Sequence, residues 1–60
     1  MIVRDLYIHS NDEQVFIIFR DGATEPCFKG RLVDCPILLL DSLVYKFRAN
    51  DFNVIEVVLR

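Results

Sequence analysis

Val15-Phe16-Ile17-Ile18-Phe19-Arg20 is the stretch on which the fold turns. Its first five residues are β-branched or aromatic, the types that fit a pleated surface. An unbroken apolar run, rather than an alternating one, marks a strand covered on both faces. Asp21-Gly22 follows, and glycine there supplies the positive φ of a tight turn. Pro26 closes the loop, and Cys27 to Val33 reads as a second strand. Gly30 inside that strand points to a bulge or a close backbone approach.

On the N-terminal side, Val3, Leu6 and Tyr7 follow the spacing of one helical face, so Ile2 to Ile8 reads as a short helical turn. The polar residues Ser10 to Gln14 then form a connector. On the C-terminal side, Asp34-Cys35-Pro36 reads as a helix start, with Asp34 or Cys35 at the cap and Pro36 in the first turn. The helix runs from Ile37 to about Ser42. Its four consecutive apolar residues cover every side of a helix, so part of that surface needs cover beyond one sheet face. Leu43 to Ala49 alternates, as does Val54 to Arg60, and Asn50 to Asn53 forms the hairpin loop between them.

These elements predict one α+β domain over residues 1–60: a four-stranded antiparallel sheet from two hairpins, a short helix between them and a short N-terminal helical segment. One sheet face, under the helix between the hairpins, collects Val15, Ile17, Phe19, Phe28, Leu32, Tyr45, Phe47, Ile55, Val57 and Leu59. The other holds Phe16, Ile18, Arg20, Cys27, Lys29, Arg31, Val33, Val44, Lys46, Arg48, Val54, Glu56, Val58 and Arg60.

Sixty residues make a domain whose stability is marginal without help, and a hydrophobic fraction of 53% with only two glycines points to a dense core or a partner subunit. The same composition excludes disorder. Charge at Arg4 and Asp5 interrupts any apolar leader, and no apolar run approaches the length of a membrane span. A cytoplasmic protein is expected. Cys27 and Cys35 lack the repeated spacing or the histidines of a metal site, since His9 stands alone, and they read as small apolar residues with reduced thiols. No metal and no cofactor are expected. Ser10 and Ser42 lack a nucleophile context, Gly22 and Gly30 make no phosphate loop, and the loop acids are too scattered for calcium. The reading is non-enzymatic.

Charge is sorted along the chain. The net charge is -2, yet six of the seven basic residues fall in the expected strands. The second face therefore combines Phe16, Ile18, Val44, Val54 and Val58 with cations. Leaving that much apolar surface in water forgoes about 1.5–3 kcal/mol for each large side chain. Partial cover is expected from Ile2, Leu6, Tyr7 and Ile8 and the remainder from another molecule, a second copy or a docked protein. The expected contact set is Phe16, Ile18, Val44, Lys46, Arg48, Val54 and Val58, with surplus apolar surface at Ile37 and Leu38. The alternative is single-stranded nucleic acid held by Lys29, Arg31, Lys46 and Arg48, with Phe16 as stacking platform. The net negative charge weighs against it.

Three stretches carry a resemblance: Ile2-Val3-Arg4-Asp5-Leu6 at the start, Gly30 through Asp34-Cys35-Pro36 to Leu40-Asp41 in the middle, and Ile55-Glu56-Val57 near the end. Together they resemble small uncharacterised phage and prophage proteins of Gram-positive bacteria. The resemblance implies a phage or mobile-element accessory protein and no particular activity.

Overall fold

A computed structural model describes residues 1–7, 13–51 and 53–60. Helix α1 (Val3–Tyr7) comes first, then strands β1 (Val15–Phe19) and β2 (Phe28–Gly30). A 3-10 turn (Leu32–Asp34), helix α2 (Ile37–Leu40) and strands β3 (Val44–Asp51) and β4 (Val54–Leu59) complete the order. Ile8, His9, most of the expected connector and Phe52 lie outside the described residues.

The fold is α+β with a four-stranded sheet, as the sequence predicts, but the sheet is mixed. Its order is β2-β1-β4-β3. Both hairpins are antiparallel, whereas β1 and β4 run parallel at the centre, Val15 beside Val54 through Phe19 beside Val58. The cause lies in residues 31–43. Leu32, Cys35 and Leu39 are buried in the core, so the connection lies across the sheet before the second hairpin begins. That sends β3 in the same direction as β2. Parallel neighbours need a long crossover of this kind.

Helix placement also differs from expectation. Val3 and Leu6 of α1, Leu32 and Cys35 of the turn and Leu39 of α2 all join one cluster with Phe16, Ile18, Val57 and Leu59. Both helices therefore cover the same sheet face. That face is the one bearing Phe16 and Ile18, 1% and 0% exposed. The expected faces of β1 are thus reversed. Parallel pairing explains why: Phe16 lies beside Ile55 and Ile18 beside Val57, so they share the side those β4 residues present to the core. Val44 is also on this side, packed against the cluster and paired with Leu59. A register shift between Val44 and Lys46 lets Val44 face inward while Lys46 pairs with Val58 on the far side.

Local chemistry sets the ends. The Ile2 N–H donates to Asp5 Oδ2 at 2.9 Å, the side-chain half of a capping box. Gly22 (φ 80) sits third in a turn closed by Ala23 N–H donating to Arg20 O, the position of a type II turn where glycine is required. The expected strand from Cys27 to Val33 is shorter, because the chain coils into the 3-10 turn that buries Leu32. Pro36, rather than Asp34 or Cys35, stands at the cap of α2, and that helix closes at Leu40. Only Leu39 of α2 is buried, and Leu38 remains 87% exposed. Cys27 and Cys35 are free thiols. Burial pushes the Cys35 thiol above its ordinary value, and the nearby Cys27 adds to the shift.

Candidate functional site

With both helices on one side, the other face of the sheet carries no helix among the described residues. Cross-strand pairing builds its surface. The central row reads Lys29, Ile17, Glu56, Arg48 across β2, β1, β4 and β3. On one side of it lie Phe19, Val58 and Lys46, and on the other Val15 and Val54. The result is an apolar strip along the two central strands with cations on the outer ones. Strands lie about 4.8 Å apart, so the row spans roughly 14 Å from Lys29 to Arg48 at the backbone.

Val15, Ile17, Phe19, Val54 and Val58 are only partly buried, and Lys29, Lys46 and Arg48 are exposed. Arg48 Nη2 stands 3.7 Å from Glu56 Oε1. The Lys46 ammonium lies 5.7 Å from the centre of the exposed Tyr45 ring. A shallow groove of about 340 Å³ runs along this part of the sheet, lined by Lys46, Phe47, Arg48, Glu56 and Val58. An apolar floor with exposed cations at its sides suits an acidic, partly apolar surface.

Of the contact residues expected from sequence, Lys46, Arg48, Val54 and Val58 come together here. Phe16, Ile18 and Val44 do not: they belong to the covered side, where α1 and α2 leave them no partner to meet. Among the nucleic-acid candidates, Lys29 joins Lys46 and Arg48 on the open face. Arg31 is drawn away at the start of the 3-10 turn, 4.0 Å from the Asp34 carboxylate, and Phe16 is unavailable for stacking. The residues missed are Val15, Ile17 and Phe19. Their own strand carries no signal: Glu56 between Ile55 and Val57 marks the wet side of β4, and only the parallel register passes that side on to β1.

Among the described residues, no group of three or more His, Cys, Asp or Glu side chains is placed to hold a metal ion, and no helix is long and apolar enough to cross a membrane. Comparison with known protein families, curated proteins and solved structures finds no match to this chain.

Proposed function

We propose that the chain is a non-enzymatic accessory protein that docks an acidic, partly apolar protein surface on its open sheet face. The observation that carries this reading is the row Lys29–Ile17–Glu56–Arg48, flanked by Phe19, Val58 and Lys46. Apolar contact along the strip supplies affinity, and the outer cations orient the partner and speed its approach. The resemblance to small phage and prophage proteins supports an accessory role encoded by a mobile element. Self-association through this face is the weaker variant, because two copies face to face oppose three cations to three cations with one acid on each side.

The test compares wild type with Ile17→Asp and with Lys46→Glu/Arg48→Glu as immobilised baits in a bacterial lysate. Acidic-surfaced proteins retained by wild type and lost by both variants support the reading. Retention unchanged in both variants ends it. A parallel titration with a twelve-residue oligothymidylate tests the nucleic-acid alternative, which requires affinity falling with salt at a log–log slope of about -0.7 per phosphate contact.

A further inference from the structure

The geometry points to a second mode of contact: the outer edge of β3 takes up an extended acidic segment of a partner protein as a fifth strand. It rests on the docking reading only in sharing Lys46 and Arg48 with the open face.

Strand β3 is an edge strand, with β4 as its single neighbour among the described strands. Its beginning already shows what the edge accepts. Ile2 bridges Leu43 in antiparallel fashion, the Val44 N–H donates to Met1 O at 2.8 Å, and the Val3 N–H donates to Ser42 O at 3.1 Å. Beyond Val44 the edge continues through Tyr45 to Ala49 with no further described segment along it. An edge of this length with no partner strand among the described residues is a template for another chain.

Side chains select the occupant. On the covered side of this strand Phe47, paired with the buried Val57, is left 47% exposed. Lys46 and Arg48 stand on the opposite side, paired with Val58 and Glu56. A second copy adding its own β3 by two-fold symmetry sets Lys46 and Arg48 against the same cations, which disfavours self-pairing. A strand alternating acidic and apolar residues meets both sides at once: carboxylates over Lys46 and Arg48, apolar side chains against Phe47. The cations thus bar one partner and admit the other.

The experiment titrates the whole chain with an acetylated octapeptide of alternating glutamate and valine, and with its lysine–valine counterpart. Slowed amide exchange confined to Tyr45–Ala49 is expected with the acidic peptide, and no binding with the basic one. Lys46→Glu/Arg48→Glu weakens the acidic peptide about tenfold. The deciding probes are two acidic peptides N-methylated at alternate amides, one in each register. Strand addition uses one edge of the peptide, so one register abolishes binding and the other is tolerated. Equal binding by both registers, absence of binding by the parent peptide, or equal binding by the basic peptide overturns the proposal. So does a mass that grows with concentration while Tyr45–Ala49 becomes protected without peptide, which assigns the edge to a second copy. Ile17→Asp separates the two readings, because it alters the open face and leaves the β3 edge intact.

Discussion

The two faces of β1 are nearly identical in composition and opposite in circumstance. Phe16 and Ile18 on one side are sealed beneath α1, α2 and the 3-10 turn, while Val15, Ile17 and Phe19 on the other stay partly exposed. Five similar residues therefore do two jobs. What separates them is the path of the crossover, which commits every described helix to one side. Hydrophobicity alone sets how much surface needs cover, and topology sets which surface receives it.

The sharpest way to break this comparison is to truncate one ring on each side. Phe16→Ala costs about 3–5 kcal/mol, the range for a large buried aromatic, and that consumes most or all of the stability of a chain this size. No cooperative urea transition is expected. Phe19→Ala keeps a cooperative transition, with a loss below about 1.5 kcal/mol. Equal losses at both positions mean that the second face is buried too.

Next in size is Gly30→Ala. Gly30 pairs with Phe16 and holds φ 156, and an added Cβ meets the Phe28 ring at 3.3 Å. A loss of about 1–3 kcal/mol is expected by urea denaturation, as backbone strain and a displaced ring both act on the covered side. An unchanged midpoint shows that β2 bends freely at that point.

Cys35 reports on the same side by pH. Its thiol is pushed above the ordinary value of 9.0, chiefly by burial. Its stabilising share is therefore whole below that ordinary value and is lost as pH rises toward and through the raised one, because the unfolded chain releases the proton first. Wild type is expected to lose stability above pH 9 more steeply than Cys35→Ala. Parallel pH profiles sink this expectation.

The smallest effect belongs to the surface tie between the helices. Arg4 Nη2 donates to Asp41 Oδ1 at 2.8 Å, and both side chains are more than half exposed. A double-mutant cycle of Arg4→Ala and Asp41→Ala is expected to give a coupling of about 0.2–1 kcal/mol. A larger value makes the ion pair, rather than Val3 and Leu6, the reason α1 stays on its side of the sheet.

Much of the local structure was legible in the residues. Both hairpins, α1, the turn at Gly22 and the alternation of β4 follow from residue type and period. The face of β1 was not legible, because Val15 to Phe19 has no polar residue to mark a side, and its phase is set by neighbours 39 positions away in β4, as in Val15 beside Val54. The parallel centre was hidden for a related reason: a connection that crosses the sheet and one that does not can share the same apolar residues. Five residues of the open face, Lys29, Lys46, Arg48, Val54 and Val58, were named from sequence, the last four because alternation in β4 and at Lys46-Phe47-Arg48 is clean. Val44 was misplaced because one extra residue, Tyr45, changes the phase of its strand.

The Leu43–Val44 peptide has a further consequence. Its amide nitrogen donates to Met1 O, and its carbonyl oxygen accepts from the Arg60 N–H at 3.0 Å. Residues at opposite extremes of the chain thus flank one peptide unit. A circular permutant that joins Arg60 to Met1 through a short glycine-serine bridge and opens at Gly22 keeps every strand whole. In that rearranged order β4 precedes β1, so the central parallel pair becomes a near neighbour in sequence and the long closure between them shortens.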